Sequence, residues 1–244
     1  MTVITLGGKS GNGGRNIGPK VSHELHIDYV DRLILSQVAR QTGSTLGAIQ
    51  KREDEPVTFK EKISQIVNRI LQNSASSGIG ADPYFVPNIA SFLSEEYNEF
   101  PNSLITQRHE LDDELFIDSL TQVINEIAST GNSVIVGRGA HIILKDFESV
   151  LRIGLVSEIE DRIKIISQRE NCDLSEAELR LNNRDKARQI YFDRYFNLSD
   201  PDDIRHYDFM INTSKITEEY ATEMIVDAAS STSTNKFHKL SKTI

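Results

Sequence analysis

The residues with the most chemical potential stand near the start of this sequence. Six glycines fall within the twelve positions from Gly7 to Gly18, directly after the apolar run Val3 to Leu6. Glycine lets backbone N–H groups turn inward around an anion without a Cβ clash, and a helix starting there adds its positive end. The chemistry predicted is phosphate binding. Against the phosphate-loop pattern G-x-x-x-x-G-K-[ST], Gly8 and Gly13 take the glycine positions, Gly14 stands at the lysine and Arg15 at the hydroxyl residue. The residues offered to an anion are therefore Gly8, Gly11, Asn12, Gly13, Gly14, Arg15 and Asn16, with Arg15, Lys9 or Lys20 replacing the lysine charge. A purely structural glycine turn is one alternative. A dinucleotide site is another: Gly11 and Gly13 begin G-x-G-x-x-G and Asp31 lies about twenty residues on, although Asn16 replaces the third glycine.

Three further groups carry chemistry. Asp31 and Arg32 follow the apolar run ending at Val30, and the carboxyl ends of parallel strands are where ligands bind; Asp31 as a helix N-cap is the competing reading. Arg138 stands between Gly137 and Gly139 after the apolar strand Ser133 to Val136, a placement that suits a phosphate or carboxylate ligand. Arg184, Arg188 and, further on, Arg194 share a broad face of one helix that also carries Asp185; a solvated helix with Asp185 pairing locally is the plain alternative. The six histidines show no metal-ligand spacing, and neither a Ser/His/Asp set nor paired carboxylates can be read. The single cysteine, Cys172, is incidental and forms no internal disulfide.

The elements that must position these groups alternate. Val3 to Leu6, Ile27 to Val30, Ser133 to Val136, Val150 to Val156 and Phe209 to Asn212 read as strands. Helices are predicted after the loop, after Asp31, over 109–129, over 158–170 with Ile159, Ile163 and Ile166 as its apolar stripe and Arg162 and Arg169 outward, over 175–197, and from Thr217 to about Ala229. This alternation predicts an α/β fold with a central parallel sheet. It breaks down over residues 45–108, read as a helical insertion and acceptor-side subdomain within a single domain of residues 1–229; residues 230–244 read as a disordered tail.

Composition bounds the rest. At 244 residues, 38% hydrophobic and 26% charged, the chain can bury a sizeable core. A net charge of −9 argues against a nucleic-acid surface over the whole protein and leaves room for a local basic pocket. No basic leader and no apolar stretch of about 18 residues is present, so the expectation is a cytoplasmic protein without a membrane span.

Taken together, Gly11-Asn12-Gly13-Gly14-Arg15-Asn16-Ile17, Tyr29-Val30-Asp31-Arg32, Val136-Gly137-Arg138-Gly139-Ala140, Asp185-Lys186-Ala187-Arg188 with Tyr191 and Arg194-Tyr195-Phe196, and Tyr207-Asp208 leading into Ile211-Asn212-Thr213-Ser214 resemble the cytidylate kinase-like proteins. The resemblance implies a three-layer α/β/α P-loop NTPase fold that passes the γ-phosphoryl of ATP, with Mg2+, to a nucleoside monophosphate such as CMP. It implies that Gly11 to Arg15 hold the ATP phosphates, that Asp31, Arg32 and Arg138 serve the acceptor, and that Arg15, Arg184, Asp185 and Arg188 are catalytic. It implies a small-molecule nucleotide as partner and leaves a homodimer open. Ordinary cytidylate kinases carry the loop lysine and a Gly-Arg-Asp after the third strand; here those sites are Gly14 and Gly139. An active kinase, a nucleotide-binding regulatory module without turnover and a dinucleotide-dependent oxidoreductase are the three functional classes in play.

Overall fold

A computed structural model of the chain describes residues 2–31 and 107–233. Five strands form one parallel sheet: β1 (Val3–Gly7), β2 (Asp28–Val30), β3 (Ser133–Val136), β4 (Val150–Val156) and β5 (Phe209–Asn212), in the order β2-β3-β1-β4-β5. The helices are α1 (Gly14–Leu25), α2 (Gln107–Thr130), α3 (Ala140–Ile143), α4 (Ile159–Glu170), α5 (Leu174–Phe196) and α6 (Glu218–Ser233). All five strands lie where the apolar runs predict them. Two differences concern helices. Four residues of α3 are too few to show a periodicity, and α6 continues to Ser233 instead of stopping near Ala229. The predicted helix after Asp31, nearly all of the 45–108 insertion and residues 234–244 lie outside the described residues.

The strand alternation of two sorts each side chain to a face. Ile4 and Leu6 of β1, Val134 of β3 and Leu151, Ile153 and Leu155 of β4 point to one side, where Ile17 and Val21 of α1 and Ala221 and Ile225 of α6 cover them. Val3, Ile135 and Val150 point to the other side, under Leu120, Val123, Ile124 and Ile127 of α2, Ala140 of α3 and Tyr191 and Phe192 of α5. The result is the three-layer α/β/α P-loop fold. Truncating a fully buried member such as Ile153 to alanine costs about 2–5 kcal/mol, because the sheet and the α1–α6 layer over it lose contacts.

This topology fixes where a ligand sits. β1 lies at the centre, with β3 on one side and β4 on the other, so the chain reverses its direction of winding at β1. Ligands of open parallel sheets bind outside the strand carboxyl ends at such a switch point. The glycine-rich segment leaves β1 at that place. Among the described residues, no helix is long and apolar enough to cross a membrane.

Candidate active site

The loop between β1 and α1 is held open by specific contacts. Gly8 has φ +126°, and a Cβ there would stand 2.2 Å from the Leu155 carbonyl oxygen, so only glycine fits. Asn12 is the loop's organiser: its Nδ2 donates to the carbonyls of Leu155 (3.1 Å) and Gly7 (3.4 Å), while its Oδ1 accepts from the Gly14 amide (3.0 Å). Gly13, in the left-handed conformation, starts α1, and its carbonyl accepts from the amides of Asn16 and Ile17. A cavity of about 440 Å³ opens over this loop. Gly8, Gly11, Asn12, Gly13, Gly14, Arg15 and Asn16 all line it, and Asp31 reaches its wall from the end of β2. Asn16 also donates from Nδ2 to Glu218 (2.6 Å), fastening the mouth of the loop to α6.

Helix α4 forms the opposite wall, and here the sequence-based expectation is corrected. Arg162 and Arg169 do not point outward. Arg162 is 4% exposed; its Nε donates to the Ser10 carbonyl (2.7 Å) and its Nη2 to Asp185 of α5 (2.6 Å). Arg169 lines the cavity and donates to Glu170 (2.8 Å). Ile159, assigned by its spacing to the buried stripe, is instead 40% exposed. The face that meets the loop and its cavity runs through Arg162, Ile165 and Arg169, at i, i+3 and i+7, while Ile166 turns to Ala177 and Leu181 of α5. That spacing marks the face with an arginine at each end.

The arginines of α5 are held by distant carboxylates. Arg184 binds Glu170 through both fork nitrogens (2.7 and 2.9 Å), and Glu170 also accepts from Arg180 (2.9 Å). Burial pushes the Glu170 carboxyl up, but the bonds from Arg184, Arg169 and Arg180 outweigh it and hold it down at about 2. Arg188 binds Asp202 through both fork nitrogens (3.0 and 2.8 Å) and lies 4.8 Å over the Phe192 ring. Asp185 does not pair locally; its partner is Arg162, 23 residues away. Nor does Arg194 join Arg184 and Arg188, since it is exposed and lies over Tyr195.

Arg138 follows the cavity-lining Gly137 and is itself buried, outside the cavity lining. Gly137, Arg138 and Gly139 all take positive φ, Gly137 lines the cavity, and the Arg138 carbonyl accepts from the Tyr191 hydroxyl (3.2 Å). Behind it His141 stacks on Tyr207 (4.7 Å between centroids). Burial, followed by the Arg188 charge, lowers the imidazole to about 3, so it stays neutral. Arg32 lies outside the described residues. Lys20, a candidate for the missing lysine charge, is committed to Glu218 and Glu219, whereas Lys9 is exposed at the cavity rim.

Sequence reasoning missed Arg162, Arg169, Glu170 and Glu218. The site brings the glycine loop, Arg15 and Asp31 together around one cavity; Arg184 and Asp185 reach it through α4, and Arg188 belongs to the aromatic cluster near Arg138.

Comparison with known proteins bears on the fold and the family. A protein from Eubacterium ventriosum superposes with a TM-score of 0.59 at 18% identity, over 95% of this chain and 99% of that one, which shows a shared fold. The shikimate kinase of Acinetobacter baumannii, solved with shikimate, gives 0.45 at 13% identity over 93% and 92% of the two chains. That of Bacteroides thetaiotaomicron gives 0.43 at 11% identity over 93% and 94%. A search of functionally curated proteins returned no match. The cytidylate kinase-like family profile matches residues 3–215, nearly the whole of the chain, and the protein belongs to that family.

Proposed function

We propose that the protein transfers the γ-phosphoryl group of ATP to CMP or a related nucleoside monophosphate. The observation that carries this reading is the cavity over the glycine loop, with the guanidinium groups of Arg15 and Arg169 on its walls at the switch point of the sheet. A cradle that only glycine can form, at a helix start and faced by two cations, suits a polyphosphate. The residues fit Mg2+ that arrives on the nucleotide's own phosphates: Asp31 and Glu218 are the carboxylates on the cavity wall, and no three His, Cys, Asp or Glu side chains cluster among the described residues. Mg2+, when bound, supplies positive charge to the phosphate oxygens.

In this reading the chain's own residues position and neutralise. Loop amides and Arg15 hold the donor phosphates, Arg138 holds the acceptor, and an acceptor phosphate oxygen attacks the γ-phosphorus as the bond to ADP breaks. Arg184 and Arg188 neutralise the oxygens in flight, and Asp185 orients α5 through Arg162. No enzyme-bound intermediate is needed. Magnesium-ATP chemistry of this kind fits the cytoplasmic setting read from the sequence.

A binding module without turnover is the second reading, favoured by one observation: Arg184 and Arg188 are each engaged bidentately by a carboxylate, away from the cavity lining. An ADP-release assay with ATP and Mg2+ against CMP, dCMP, UMP and AMP, run beside an ATP-binding titration, tests both. We expect turnover with a pyrimidine monophosphate. ATP binding without turnover on any acceptor would support the module, and absence of ATP binding would refute both.

A further inference from the structure

We propose that Arg169 binds the polyphosphate together with Arg15, so that the charge a phosphate loop ordinarily takes from its own lysine is delivered here by helix α4. This rests on the kinase reading above and assigns a further residue of the same site.

Gly14 occupies the lysine position and has no side chain to offer. The replacement must therefore come from another residue on the cavity. Lys20 is bonded to two carboxylates of α6, and Lys9 is exposed at the rim. Arg169 lies on the wall facing the loop, with only 13% of its side chain exposed. Its position is built rather than incidental. Backbone contact sets α4 against the loop, since a Cβ on Gly11 would meet the Arg162 carbonyl oxygen at 3.0 Å. The Arg162 bond to the Ser10 carbonyl fixes the helix rotation one end of the face away, and Glu170, itself 3% exposed, grips Arg169 at the other.

A guanidinium carries five N–H donors, so a bond to Glu170 is compatible with a bond to a phosphate. Burial and then the Arg15 charge push the Arg169 guanidinium below its ordinary value. Two cations held toward one cavity are relieved by an anion between them, which is the electrostatic demand a triphosphate meets.

The test uses the full chain and two probes, inorganic tripolyphosphate and ATP, with calorimetric titration and a thermal melt. Arg169→Ala is expected to weaken both probes roughly 10- to 100-fold, as the loss of a charged hydrogen bond would. Arg169→Lys should recover part of that affinity, and Lys9→Ala should stay within about threefold of wild type. Should Arg169→Ala not fold, Arg169→Gln removes the charge while keeping a polar side chain and is read in the same way. Wild-type affinity for tripolyphosphate in a folded, neutral Arg169 variant overturns the inference alone. A wild-type protein that binds tripolyphosphate but not ATP, with the binding dependent on Arg169, refutes the kinase reading and leaves the phosphate contact standing; binding of neither probe removes both.

Discussion

Two clusters of buried polar groups flank the carboxyl ends of the strands, and they are built on opposite principles. On the loop side Arg162, Arg169 and Arg184 bond Asp185 and Glu170 beside an open cavity, which Arg15 and Arg169 line together with the carboxylates of Asp31 and Glu218. On the β3 side Arg188 and Asp202 match one to one, and the surroundings are the rings of Phe192, His141 and Tyr207. A carboxylate shared by several guanidinium groups beside a cavity leaves room for an anion, whereas a bidentate pair packed among rings is closed in on itself. The first cluster thus stands open toward a ligand and the second is closed by its own pairing, although one helix, α5, supplies an arginine to each.

Glu170 is where the comparison breaks most easily. Glu170→Ala leaves Arg184 and Arg169 buried without their shared carboxylate, and we expect a loss of about 3–5 kcal/mol in denaturant unfolding. A loss under about 1 kcal/mol would mean that water or another acid replaces it readily.

Acid separates the clusters. His141 is held neutral by burial, with a folded value of about 3 against an ordinary 6.5. The unfolded chain therefore takes up that proton first, and stability falls as pH drops from about 6.5 toward 3. Between pH 7 and pH 5 the loss amounts to about 2 kcal/mol, and it should vanish in His141→Phe. Glu170, lowered from 4.5 to about 2, contributes stability that is present above pH 4.5 and lost below it. Unfolding measured against pH should thus show the β3 side weakening before the loop side. A flat profile from pH 7 to 5 would contradict the neutral imidazole.

The smallest effect belongs to Lys20. Its pairs with Glu218 and Glu219 are surface pairs, so Lys20→Met should change stability by less than about 1 kcal/mol. Tripolyphosphate affinity should stay within about twofold, and a larger drop would place Lys20, not Arg169, in the phosphate site.

Much of this was legible in the residues. Short apolar runs marked every strand because strands buried on both faces have no polar side to show. Glycine spacing placed the loop because only glycine tolerates Gly8's approach to Leu155. The walls of the site were harder to read. On α4 the isoleucines suggested a buried stripe that included Ile159, whereas the loop-facing stripe runs through Arg162 and Arg169. A buried arginine is indistinguishable from a solvated one until its acceptors are known, and the acceptors here are remote: Ser10 lies 152 residues from Arg162, and Glu170 and Asp202 each lie 14 residues from their arginines. Local periodicity carries no record of such partners.

The glycine loop precedes in the chain every residue that shapes it from outside. Leu155 accepts from the Asn12 side chain, Arg162 grips the Ser10 carbonyl, and the Thr213 hydroxyl donates to the Asn12 carbonyl (3.1 Å). Those anchors follow the loop by 143, 152 and 201 residues. On the ribosome, a nascent chain that has not yet delivered Thr213 carries the loop sequence without its cradle. The polyphosphate capture proposed above therefore requires the chain as far as Thr213, and it can serve as a readout of folding to that point.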